Sequence, residues 1–425
     1  MLKVLSSKTT ILLKATAKRS HDKRTSLIFF IIAILFSFFL LNFRRPDALV
    51  LPQLWAEDGT IFFQDVYNTG IKSFALPYAG YFHLIPRLVA YFTYLFVPYA
   101  YVPVAYVFSS LAGFILVLFY IWNRTGLDVH ARFLMCLGLT LVPISSEIVL
   151  NLTNVQWYTA ILLIVIFLSD QNRKKNLPDA IIVFLTGLTG PFSLIFLPCV
   201  LLLVFSNSYR AKLQKINPVI LSVFIITALI QLISILTSPT RIASGIGLSE
   251  KLTQLPYAIY IHLLNIPGLL RLYTGHINYL IFSLLLAAIV IWIYASYRQY
   301  RNTKDFRVLF LIMLSFSLIG ANLYGSNISN NYTPITVGRY FFLPTLLLIW
   351  SGIIYVFQRG KNYYAFYLLY FWYFIIILFR IGSITLEDKN WKAEAQKIDN
   401  IKKDGLQLPI NPEGWYIKLN NKENH

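Results

Sequence analysis

The chain has 425 residues, 57% of them hydrophobic and 13% charged, with a mean hydropathy of +0.62. That balance excludes a soluble globular domain and points to a polytopic membrane protein. The net charge of +19 is not read as a nucleic-acid footprint, because the basic residues fall in short segments between apolar runs and follow the two sides of a membrane.

Residues 1–25 carry seven basic side chains against the single acid Asp22, which keeps this end in the cytoplasm. The run 25–43 is long enough to cross about 30 Å of hydrocarbon. No small-residue cleavage site follows it, so it reads as an uncleaved anchor. The next long uncharged run, 101–122, ends at Asn123-Arg124, with Arg132 beyond, and marks the return to the cytoplasm. Residues 44–100 therefore form an outer loop. Within that loop Leu84 to Val97 is apolar, but Pro86, Arg87 and a length of about 14 residues fit an interfacial or re-entrant helix better than a crossing.

Further spans are expected at about 133–149, 155–169, 218–237, 277–296, 308–324, 339–357 and 362–379. The stretch 178–205 reads as a broken pair, too long for one crossing, with Gly187, Gly190 and Pro191 at its middle and basic flanks on both sides. With this topology the cytoplasmic loops hold fourteen basic and four acidic residues. Making Leu84 to Val97 a crossing would invert every later loop and fail the charge rule. The expected fold is an all-α polytopic membrane protein of about 11 transmembrane helices, with amphipathic interfacial helices in the first outer loop. It divides into a cytoplasmic N-terminus (1–25), a membrane domain (26–381) and an outer tail (382–425), which either forms a small cap around Trp391 and Trp415 or stays loose. Cys136 and Cys199 lie in apolar runs and read as buried small hydrophobes.

Chemistry concentrates in the outer loop. Glu57 and Asp58 are adjacent carboxyl groups in the aromatic context Trp55 to Phe63, and two such groups do not both ionise cheaply where water is scarce. One can act as a general base while the other orients it or takes a divalent cation. The simpler reading makes Asp58 the cap of the following helix, roughly Thr60 to Ile71. That helix sets Ile61, Phe62, Val66 and Ile71 against Gln64, Asp65 and Asn68, a membrane-surface pattern. Arg339 lies where an outer loop runs into a span and can pair with a phosphate; Arg87, Arg271 and His276 are further outer-face cations, and interface snorkelling is the plain alternative. Glu147 closes an outward span and, with Asn154 and Gln156, can hydrogen-bond hydroxyl groups or help hold a metal. Tyr78, Tyr81, Trp157 and Tyr340 can stack on a sugar or prenyl chain, or serve as interface belt.

The order of a first span, an acidic pair in the outer loop, an amphipathic helix ending near Asn68-Thr69-Gly70, and then PYAGYFHLIPR resembles the C-type glycosyltransferase superfamily, which includes protein O-mannosyltransferases and lipid A aminoarabinose transferases. LTGLTGPFSLIFLP looks like the short helix pair of that superfamily, and GRYFFLP, Gly338 to Pro344, like its late Arg-Tyr motif. The resemblance implies an enzyme of the bacterial inner membrane that takes a sugar from a polyprenyl-phosphate donor on the outer face and passes it, usually with inversion, to a glycan, lipid or protein acceptor. It also implies a first-loop acid that activates the acceptor hydroxyl. The pair here reads Glu-Asp where Asp-Glu is more usual, which leaves the identity of the base open between Glu57 and Asp58, with Asp58 favoured. No cofactor is fixed; Mg or Mn at the acidic pair is an option.

Two other classes compete. A transporter or lipid-sugar flippase would use the helix break at Gly187 to Pro191, but such proteins place ionisable residues near the bilayer midplane, and the charges here sit at span ends. An O-antigen type polymerase would bring large arginine-rich outer loops, whereas this first loop is led by acids.

Overall fold

The structure is a computed structural model that describes residues 24–142, 148–169, 176–205, 217–238, 276–325, 334–379, 385–401 and 405–420. It is mostly helical. In chain order the helices are α1 (Arg24–Arg44), α2 (Gln64–Thr69), α3 (Leu84–Phe96), α4 (Val102–Arg124), α5 (Val129–Leu141), α6 (Val155–Leu168), α7 (Asn176–Gly187), α8 (Phe192–Phe205), α9 (Pro218–Thr237), α10 (His276–Thr303), α11 (Arg307–Gly325), α12 (Pro334–Gln358), α13 (Tyr364–Phe379) and α14 (Trp391–Gln396). Among the described residues four helical stretches are long and apolar enough to cross a membrane: Arg24–Arg44, Tyr99–Arg124, Pro218–Thr237 and Arg339–Gln358. Their outward faces carry Leu27, Ile31, Leu35, Phe108 and Ile233 exposed, a burden that water does not tolerate and lipid does.

The centre of the bundle is α6. All of its residues are buried, which its all-round apolar sequence VQWYTAILLIVIFL requires. It packs against α4, α7 and α8. The expected broken pair is present as α7 and α8, joined by Leu188 to Pro191, with Gly190 in the left-handed region at φ +82°. An ideal Cβ there would come within 2.5 Å of Gln156 Oε1, so this turn needs glycine for both its conformation and its packing.

Three expectations change. The span at 133–149 stops as a helix at Leu141, because Pro143 forces Val142 into an extended conformation (φ −58°, ψ 122°). The segment from Ile148 onward is a buried loop held to the end of α1: Arg45 donates to the Val149 carbonyl at 3.1 Å and forms a two-pronged pair with Asp47 at 3.1 and 2.9 Å. The helix of the first loop is a π-helical turn (Asp58–Phe63) running into α2 and a 3-10 stretch (Gly70–Ala75). Its apolar side chains Phe62, Phe63 and Val66 are buried in protein and do not lie on a membrane surface; of the expected lipid-facing set, Ile71 remains exposed.

Finally, the chain is not entirely helical. The tail folds into α14 followed by an antiparallel hairpin, β1 (Leu406–Ile410) with β2 (Trp415–Leu419), in which Leu408 pairs with Ile417. Trp391, Ile398, Leu408, Ile410 and Ile417 form with Leu54, Phe62, Phe63 and Val66 a second hydrophobic core, separate from that of the bundle. Of the two outcomes considered for the tail, a cap is the one observed, but it is built on Trp391 alone of the two tryptophans, Trp415 staying exposed; burying Phe62 and Phe63 supplies its driving force.

Candidate active site

The Trp55–Gly59 turn sets the site. Ala56 is left-handed at φ +35°, uncommon for a residue with a side chain, and its carbonyl accepts from the backbone N–H groups of Gly59 and Thr60 at 3.2 and 3.1 Å. This kink sends the two adjacent acids to different places.

Asp58 points inward and is 2% exposed. Its Oδ1 accepts from the Thr153 backbone N–H at 2.7 Å and the Thr153 hydroxyl at 2.6 Å, and its Oδ2 from the Leu152 N–H at 3.3 Å. Burial pushes its pKa up to about 6; the Thr153 and Leu152 bonds pull the other way, and the Glu57 charge adds a smaller push upward. It does not cap the helix that follows. It ties the first loop to the turn before α6.

Glu57 points toward the tyrosines. Its Oε1 accepts from the Tyr78 hydroxyl at 2.9 Å. Tyr78 and Tyr81 exchange backbone hydrogen bonds at 3.0 and 3.2 Å around Ala79 and Gly80, both at positive φ, the geometry of a tight turn that matches strand twist. Burial and the Glu57 charge push the Tyr78 phenol well above its ordinary value, so it stays a donor; burial does the same for Tyr81, with Tyr340 and Glu57 adding to it. The positive charge of Arg339 opposes the shift at both tyrosines. Arg339 and Tyr340 thus act electrostatically on the tyrosines beside Glu57. Arg339 lies 5.2 Å from the Tyr340 ring centre, the Tyr340 ring packs edge-on to Trp157 at 5.7 Å, and Trp157 to Phe192 at 5.2 Å. A carboxyl group, a guanidinium and an aromatic wall thus come from the first loop, α12 and the start of α6.

The Tyr78–His83 segment and the start of α3 are held by the helix break. Gly190 donates to the Phe82 carbonyl at 3.0 Å, Leu84 to Leu188 at 2.9 Å, and the Ile85 N–H to the Thr189 hydroxyl at 3.0 Å. Gln231, fully buried in α9, accepts from the Phe82 N–H at 2.9 Å and donates to the carbonyls of Phe82 at 3.2 Å and Gly190 at 2.9 Å. A lone amide in an otherwise apolar run was the readable signal for Gln231, since a buried amide must find partners. Thr153 had no such signal, sitting in an ordinary polar turn.

Other expected residues stand elsewhere. Arg87 is turned into the protein, 2.9 Å from Asp65 and 5.7 Å from the centre of the Phe62 ring. Next to it His83 is buried, and burial, with the Arg87 charge, lowers its pKa to about 3. Asn154 is buried and accepts from the Trp157 indole at 3.2 Å; Gln156 lies against the Gly190 turn. His276 begins α10, while Glu147 and Arg271 lie outside the described residues. Among the described residues no group of three His, Cys, Asp or Glu side chains could hold a metal, and with both Asp58 oxygens engaged the acidic pair does not present two carboxylates at one point. Cys136 and Cys199 are free and buried. Compared with known proteins, the chain matches no family model and no curated protein.

Proposed function

We propose that the protein is a membrane glycosyltransferase that moves a sugar from a polyprenyl-phosphate donor to a hydroxyl of a glycan, lipid or protein acceptor at the outer face, with about 11 spans and the N-terminus inside. The observation that carries this reading is the Glu57–Tyr78 hydrogen bond with the Arg339 charge acting on the same tyrosine. Sugar transfer from a phosphate needs a base for the acceptor hydroxyl, a cation for the departing phosphate, and a flat apolar wall for the sugar or prenyl chain. Glu57, Arg339 and the Tyr81, Tyr340 and Trp157 rings supply these in turn.

In this scheme the acceptor oxygen attacks the anomeric carbon, the bond from that carbon to the phosphate oxygen breaks with its electron pair passing to phosphate, and Glu57 receives the acceptor proton. Tyr78 orients the Glu57 carboxyl group, and Asp58 holds the loop. Between the two acids the geometry supports Glu57 as base: it has a polar partner facing the cluster, whereas Asp58 is enclosed and occupied. The transporter reading has less support, because the carbonyls freed at the helix break are consumed inside the protein: Gly187 accepts from the Ser193 hydroxyl at 2.8 Å and Gly190 from Gln231.

Glu57→Gln is expected to lower sugar transfer from polyprenyl-phosphate sugar in membranes by about 100-fold or more, the usual worth of a positioned base. Unchanged transfer in that variant would remove Glu57 from the chemistry.

A further inference from the structure

The C-terminal cap closes over the turn that carries Glu57, and the way it does so is unusually specific. Asn411, the residue after β1, brackets Trp55 on both sides: its carbonyl accepts from the Ala56 N–H at 2.5 Å and its N–H donates to the Leu54 carbonyl at 3.3 Å. The Asn411 side chain is fixed in turn by the Glu387 backbone, accepting from its N–H at 3.1 Å and donating to its carbonyl at 2.8 Å. Gln53 is held at the same point, donating to Asp388 Oδ1 at 3.2 Å and accepting from the Lys389 N–H at 3.2 Å. On the other side of the turn, Ile410 and Ile417 stand where a Cβ on Gly59 would be, at 2.6 and 2.9 Å.

We infer that residues 385–401 and 405–420 are a working part of the site and that Asn411 is a positioning residue, holding Ala56 in its left-handed conformation so that Glu57 is presented to Tyr78 while Asp58 turns inward. A left-handed alanine persists only where its surroundings fix it. The hydrogen bond that reaches the Ala56 N–H comes from Asn411, a residue 355 positions further along the chain. Without the cap the turn relaxes, and the two acids lose their separate orientations. This rests on the reading of Glu57 as the base for sugar transfer.

The test uses the full chain in detergent micelles with two variants in the cap. Asn411→Ala removes the side-chain clamp to Glu387; Ile417→Asp puts a charge into the buried face of the hairpin; Ile417→Val serves as the conservative control. Amide hydrogen exchange is followed by mass spectrometry over 54–60 and 406–419, and transfer is assayed with polyprenyl-phosphate sugar. Where 406–419 exchanges faster, exchange over 54–60 is expected to rise at least tenfold, and turnover to fall at least tenfold with the donor KM within twofold of wild type. The control matches wild type in both readouts. A released cap with unchanged exchange over 54–60 overturns the inference, as does faster exchange there with unchanged turnover. If wild-type protein transfers no sugar, the functional reading fails, and the exchange measurement still decides whether the cap sets the turn.

Discussion

Two neighbouring carboxyl groups, Glu57 and Asp58, meet opposite surroundings because a single left-handed residue precedes them. Asp58 accepts three hydrogen bonds yet is so enclosed that its pKa is pushed up to about 6, which shows burial outweighing the donors. The sign of the resulting stability effect follows from proton counting. Between the ordinary carboxylate value and about pH 6 the folded protein holds a proton at Asp58 that the unfolded chain has released, so stability falls as pH rises through that window. The span corresponds to about 3 kcal/mol as an upper bound. Asp58→Asn removes the titrating group, so the melting temperature of the variant relative to wild type is expected to rise from pH 4 to pH 7. A difference that stays flat across this range would mean that Asp58 does not titrate there. Both acids stand out in the sequence as candidates, but their division of labour does not: it depends on the Ala56 kink and on Thr153, which lies 95 residues away.

At the scale of elements, the apolar runs were legible because a helix that is hydrophobic all round has to be buried or in lipid. α6, the pair α7 and α8, α9 and α13 follow the expected runs closely. The ends were less legible where tertiary contacts decide them: α5 stops short before Pro143, and the first-loop helix gives up a regular start to the turn that divides the acids. The tail was open between cap and loose end because a five-residue strand carries little signal of its own, and the partner that buries LQLPI and WYIKL is the distant FF pair at Phe62. The break between α7 and α8 was legible in Gly187, Gly190 and Pro191, but its use was not. It serves as a docking edge for the Tyr78–His83 segment, locked by Gln231 from α9. Gln231→Leu would leave the Phe82 N–H and the Gly190 carbonyl buried without that partner, at a cost on the order of 3 kcal/mol. The expected outcome is a lower melting temperature in detergent, together with faster amide exchange at Phe82. Retained stability would show that this clamp contributes nothing to holding the site segment.

The molecule has two hydrophobic cores: the apolar bundle around α6, and the smaller core in which the first loop and the tail bury Phe62, Phe63, Trp391 and Ile417. The first loop and the tail are joined face to face, so they must lie on the same side of a membrane, and α4 leads from that core to Arg124 at the opposite end. Arg124 pairs there with Asp179 at the start of α7, and Asp128, Tyr363 and Arg132 lie close by. In the proposed topology, charge bias assigns this second end to the cytoplasm and the end with Glu57, Arg339 and the cap to the outside. The assignment is testable without any assay of function. Ile71 is 66% exposed beside the first-loop core and Asn123 is exposed at the other end, whereas the native Cys136 and Cys199 are buried and supply little background. In intact cells or right-side-out vesicles, Ile71→Cys is expected to react with a membrane-impermeant maleimide, and Asn123→Cys to react only after permeabilisation. The reverse pattern would turn the protein over and place the Glu57 cluster on the cytoplasmic face. A polyprenyl-phosphate sugar presented outside could not reach it there, so the labelling result bears on the proposed chemistry as directly as it does on the topology.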